Sequence, residues 1–178
     1  HLMDYWAETM QDDAWMIAGE GWKALQDGKP NTDLIPPALI VARYFAAELA
    51  TIEQLEAERD AISRQMEEMD EEHGGEDGLL NEARNDKGKL TKASVKARQT
   101  EIKGDKEAKD ERKLLEAYAD LIEQEADAGK AVKDAQRALD TNVAAKYAKL
   151  TEAEIKTLVV DDKWLAALAA QVQGELDR

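Results

Sequence analysis

The chain has 178 residues, no cysteine, a single phenylalanine, 35% charged residues and a formal net charge of -15. Disulfides and thiolate metal sites are therefore excluded, and the alanine-weighted apolar content suits elongated helical packing better than a globular α/β core. A charge of that sign argues against general nucleic-acid binding, because phosphate backbones repel it wherever positive charge is not locally concentrated.

His1-Leu2-Met3 resembles the remnant of a cleaved affinity tag, which leaves His73 as the one native histidine and makes a histidine-based zinc site unexpected. Asp4 to Gly28 carries three of the four tryptophans, Trp6, Trp15 and Trp22, with Met10 and Met16 among them. Such density reads first as packing and only second as an aromatic ligand site. Ala14 to Ala18 reads as a short strand ending at Gly19, with Gly21 allowing a turn before a short helical piece from Trp22 to Gln26. A lone strand is not stable, so residues 4–33 are expected to connect to, and pair with, a preceding domain.

After loop formers from Asp27 to Thr32, Pro36-Pro37 opens a helix expected to run from Pro37 to about Glu72. Its later half keeps a heptad seam at Ile52, Leu55, Ile62, Met66 and Met69, with Arg59 the one polar position. The most apolar stretch, Leu34 to Ala50, is interrupted by Pro36, Pro37, Arg43 and Glu48. It falls short of the roughly 20 residues that span a bilayer, so no membrane partner is expected and a cytoplasmic location is the default. His73-Gly74-Gly75 breaks the helix; lacking the spacing and the Lys-Ser/Thr of a phosphate loop, it is not one.

Asp77 to Gly88 reads as a helical turn followed by an Asn85 to Gly88 turn, and Thr91 then caps a helix from Lys92 to Lys103, with a break or weak point at Gly104. Lys87 to Lys113 holds 10 basic and 5 acidic residues, whereas Glu53 to Asp77 holds 11 acidic and 2 basic, so an antiparallel hairpin would pair complementary segments. Lys92, Lys96, Arg98 and Lys103 form a candidate DNA-backbone contact, diluted by Asp105, Glu107, Asp110 and Glu111.

Asp105 to Lys149 runs about 45 residues with no proline and one internal glycine. Tyr118, Leu121, Ala128, Val132, Ala135 and Leu139 follow a 3,4 spacing broken only by Glu125 and widened by Leu114, Leu115, Ile122 and Val143, which predicts one amphipathic helix roughly 65 Å long. A helix of that length needs a neighbour alongside it. The expected fold is therefore all-α, an elongated long-helix hairpin or coiled-coil bundle over residues 34–149 with a small irregular N-terminal segment containing short β structure.

Leu150-Thr151-Glu152-Ala153-Glu154-Ile155 carries a capping box between Thr151 and Glu154 and a hydrophobic staple. The helix it starts is expected to end near Val160, where Asp161 or Asp162 caps another with Trp164, Leu165, Leu168, Val172 and Leu176 on one face. That face is the candidate partner-binding surface. Gln173 to Arg178 lacks a stop signal apart from Gly174, so residues 150–178 read as capped helices that are truncated. No Ser-His-Asp or Cys-His set, Glu-x-x-His pair or glycine-rich dinucleotide turn occurs, so no catalytic, cofactor-binding or metal residues are assigned and the chain is not expected to be an enzyme.

Met10 to Asp13, Asp33 to Phe45, Met69 to Gly75 and Lys149 to Trp164 resemble the C-terminal region of the modification (M) subunit of type I restriction-modification enzymes. The resemblance implies a parent that methylates the exocyclic amine of adenine from S-adenosylmethionine, with its catalytic and cofactor motifs in an upstream methyltransferase domain. Neither motif occurs here, and Pro36-Pro37, preceded by Ile35 and followed by Ala38, cannot stand in for the catalytic loop. The resemblance further implies that the C-terminal helices dock on the long helices of the specificity (S) subunit, with DNA bound through the whole complex. This chain stops before the end such subunits usually have. Two alternatives stand beside that reading: a DNA-backbone clamp through residues 87–113, and a self-associating coiled-coil module that forms a homodimer.

Overall fold

The computed structural model of the chain describes residues 2–5 and 10–177, and 74% of it is helical, so the fold is all-α with one two-stranded antiparallel sheet. His1 of the expected tag remnant and Trp6 of the tryptophan-rich segment lie outside the described residues. In chain order the elements are α1 (Leu2–Tyr5), α2 (Gln11–Glu20), β1 (Leu25–Gln26), β2 (Lys29–Pro30), α3 (Pro37–Tyr44), α4 (Ala46–His73), a 3-10 turn (Asn81–Ala83), α5 (Lys92–Glu101), α6 (Lys109–Tyr147), α7 (Glu152–Lys156), a π-helical segment (Thr157–Leu165) and α8 (Ala166–Leu176). They form two compact units, one of His1–Ala50 with Gln136–Arg178 and the other of Thr51–Ala135. Those divisions fall inside α4 and α6, whereas the sequence segmentation puts its boundaries at 33/34 and 149/150.

In the unit of residues 51–135, α4 and α6 run antiparallel: Ser63 Oγ donates to Glu125 at 2.7 Å, while Met66, Asp70 and Tyr118 share a shallow cavity further along. Leu80, Ala83, Val95, Ile102, Leu115 and Tyr118 form the core, and the seam residues Met66 and Met69 pack against it. The expected helix after Thr91 forms, with a capping box to Ser94. It ends at Glu101, and α6 starts only at Lys109 rather than at Asp105, whose Oδ1 instead accepts the Glu107 amide at 2.9 Å in the intervening turn. Asp70 binds Arg84, which also donates to the carbonyls of Gly74 at 3.2 Å and Gly88 at 2.9 Å and so closes the loop after α4.

Charge pairing in this unit departs from the expected hairpin complementarity. Lys92 reaches Glu123 at 2.7 Å, and Arg98 reaches Glu111 at 2.7 Å and Glu101 at 3.1 Å. These basic residues are neutralised by carboxylates on α5 and α6 instead of by the acidic stretch of α4.

In the unit of residues 1–50 and 136–178, the N-terminal segment differs from its sequence reading. Residues 14–18 are not a strand but the middle of α2, and Trp22 to Gln26 is not helical. Asp12 and Asp13 sit in the first turn of α2, where carboxylates favour a helix N-terminus, and Gly21, at φ 82°, ends it by donating to the Ile17 carbonyl. The strands lie later, with Leu25 opposite Pro30 and Gln26 opposite Lys29. Between them Asp27 and Gly28 both take positive φ, 51° and 76°, as a two-residue turn matched to strand twist requires. Asn31, 4% exposed, holds this hairpin down: its amide donates to Met16 Sδ at 3.1 Å and its Oδ1 accepts the Leu34 amide at 3.3 Å.

The single helix expected from Pro37 to Glu72 is two. Phe45, at φ -132° and ψ 28°, leaves the helical basin between α3 and α4, and the last residues of α3, Arg43 and Tyr44, are tied to the C-terminal segment by Asp162 and Glu154. At the C-terminus the opposite correction applies. The Thr151–Glu154 capping box starts α7 as expected, but no helix ends at Val160 and neither aspartate is an N-cap. The backbone passes through π-helical turns straight into α8, because the Asp162 carboxylate is committed to Arg43 and cannot fold back onto an amide. Leu158 and Val159, consecutive in this segment, are both fully buried.

Candidate functional site

The unit of residues 1–50 and 136–178 gathers its polar side chains onto the π-helical segment. Asp13, 4% exposed, accepts Lys163 Nζ at 2.9 Å on Oδ1 and Trp164 Nε1 at 2.8 Å on Oδ2. Lys163 also donates to the carbonyls of Asp33 at 2.7 Å and Leu34 at 3.1 Å, so one ammonium joins α2, the turn before α3 and the C-terminal segment. Trp22 lies 6.5 Å from Trp164 between ring centroids, tilted by 51°, and Lys156 Nζ stands 5.6 Å from the Trp22 ring. Arg43 binds Asp162 through two parallel bonds at 2.6 and 2.7 Å, which holds the Asp162 carboxyl below its ordinary range and raises the guanidinium.

On the neighbouring turn Lys146 Nζ sits 4.0 Å above the Tyr44 ring and 2.8 Å from Glu154. The Tyr147 hydroxyl donates to the buried Ile35 carbonyl, and burial pushes its pKa up to about 12. Glu154, bonded first to Lys146 and then to the Thr151 amide, is lowered from 4.5 to about 2. A depressed carboxylate contributes stability that is complete above its unfolded value and fades as pH falls toward the folded one. Wild type should therefore be more stable than Glu154→Gln at pH 7, with the gap closing between about pH 4.5 and 2 in urea titrations. A pH-independent gap would assign the effect to packing alone.

The five predicted partner residues divide. Trp164 is half-buried and turned inward to Asp13, so it anchors the segment instead of presenting a ring to a partner. Leu168 is half-buried, while Leu165, Val172 and Leu176 are 53%, 48% and 75% exposed along the end of the π-helical segment and α8. Trp15, 71% exposed on α2, is a further large apolar group that its sequence reading as packing missed.

The four predicted DNA contacts divide as well. Lys92 and Arg98 are occupied, and Glu111 raises the Arg98 guanidinium further. Lys96 and Lys103 instead line a cavity with Gln99, Thr100, Arg112 and Glu116. Arg112 carried no sequence signal beyond its place in the basic run. Among the described residues no cluster of three or more His, Cys, Asp or Glu could hold a metal ion, and no helix is long and apolar enough to cross a membrane.

No family model, curated protein or solved structure matches this chain.

Proposed function

We propose that this chain is the non-catalytic C-terminal helical domain of a type I restriction-modification M subunit and that it assembles with the S subunit through the apolar face of α8. The observation that carries the reading is the row of Leu165, Val172 and Leu176, large apolar side chains left in solvent on a helix whose root is fixed by buried bonds from Lys163 and Trp164 to Asp13. An apolar stripe on a rigid helix is the form in which helices enter grooves or complete bundles. A second support is that three of the four resembling stretches meet in one unit: Asp13 bonds Lys163 and Trp164, and Arg43 bonds Asp162.

Co-expression with the S subunit tests this. Leu168→Asp with Val172→Asp should abolish co-purification, while circular dichroism confirms retained helix. Because Leu168 is half-buried, Val172→Asp with Leu176→Asp provides a pair confined to exposed positions. Unchanged assembly with this second pair overturns the proposal. Loss of a homodimer with intact S binding would assign the row to self-association instead.

A further inference from the structure

The cavity between α5 and α6 has a volume of about 350 Å³, within the size range of small-ligand sites. Lys96, Gln99 and Thr100 lie on α5, Lys103 follows in the turn after it, and Arg112 and Glu116 lie on the first turns of α6. Three cations against one carboxylate leave the lining net positive in a chain whose overall charge is -15. The concentration survives because Arg98 draws off the nearby Glu101 and Glu111, at 3.1 and 2.7 Å, and Lys96 and Lys103 have no ion-pair partner among the described residues. Arg112 is already oriented, since its Nη1 donates to the Lys103 carbonyl at 3.0 Å and its remaining N–H groups stay available. Thr100 spends its hydroxyl proton on the Lys96 carbonyl at 2.9 Å, so the donors facing a ligand are the two ammonium groups, the guanidinium and the Gln99 amide.

We infer that this cavity binds a phosphate-bearing ligand, its anionic oxygens held by Lys96, Lys103 and Arg112. A planar guanidinium beside two ammonium groups matches the oxygens of a phosphoryl group, which accept a fork from arginine and point charges from lysine. The phosphate can belong to a nucleic-acid backbone or to a free polyphosphate, and both present the same chemistry to these three side chains. The site goes beyond assembly through α8, on which it does not depend.

The test uses the full chain at about 50 mM salt, with a labelled duplex of about 20 base pairs followed by anisotropy and with tripolyphosphate followed by calorimetry. Lys96→Glu with Lys103→Glu should weaken binding at least tenfold and flatten the salt dependence of duplex binding by about 2 in log-log slope. Lys92→Glu with Lys130→Glu changes the net charge equally, lies outside the cavity and should leave the affinity within about twofold. Loss confined to the duplex identifies a strand backbone as the ligand, and loss with tripolyphosphate identifies a free polyphosphate. If neither probe binds below about 1 mM, or if both double reversals weaken binding alike, the site is disproved.

Discussion

Replacing Asp13 with alanine should cost the chain about 3 to 5 kcal/mol of unfolding free energy, read as a lower urea midpoint at unchanged slope. The carboxylate is 4% exposed and serves two donors at once, Lys163 Nζ and Trp164 Nε1. Its removal takes a close carboxylate from an ammonium whose side chain is 13% exposed and which also donates to the carbonyls of Asp33 and Leu34, and it takes the acceptor from the Trp164 indole N–H. Breaking one side of a buried pair is costly because the remaining charge stays desolvated, whereas removing both sides is much milder. Asp13→Ala combined with Lys163→Met should therefore recover a large part of the loss, a coupling that a double-mutant cycle reads directly. Asp13→Asn keeps an acceptor for Trp164 and should fall between the two. A loss below about 1 kcal/mol for Asp13→Ala would mean that the pair is solvated in solution and behaves as a surface ion pair.

Leu115→Ala should destabilise the chain by about 2 to 5 kcal/mol through a different mechanism, the loss of transfer free energy plus an unfilled cavity. Leu115 is fully buried at the centre of the cluster with Leu80, Ala83, Val95, Ile102 and Tyr118, where the 3-10 turn, α5 and α6 meet. Collapse around the hole is limited because α6 is a rigid rod and Arg84 fixes the loop between α4 and the 3-10 turn. Leu79→Ala, at a position 41% exposed one residue from buried Leu80, should change stability by less than about 0.5 kcal/mol. Equal effects from the two substitutions would contradict the placement of this core.

The helical class was legible because it rests on periodicity and caps, signals carried within a few residues. Thr91 and Thr151 both start helices where the sequence puts them, and Leu115, Tyr118, Val132, Leu139 and Val143 of the long stripe are buried. The failures are of another kind. In Ala14 to Ala18 the apolar Trp15, Met16 and Ile17 mimic a strand while the paired aspartates ahead of them favour a helix start, and the Asp27-Gly28 dipeptide, a loop former by composition, is also a hairpin signal. The break at Phe45 and the uninterrupted passage through Asp161 and Asp162 depend on Arg43 meeting Asp162, 119 residues away. Local propensity contains nothing of that meeting. For the candidate sites, availability was not legible: Trp164, Lys92 and Arg98 are already engaged within the chain, and Arg112 gains its interest only from lining one cavity with Lys96 and Lys103.

The bond from Asp13 to Lys163 closes a loop of 150 residues, and the unit it completes is assembled from residues 1–50 and 136–178 around an inserted middle. On a ribosome, residues 51–135 have all their own partners well before Lys163 has been synthesised. The inserted unit can thus mature first, while α2 and the β-hairpin wait for a segment made only after that whole middle, and the closure that joins them carries the entropic cost of a contact between residues far apart in the chain.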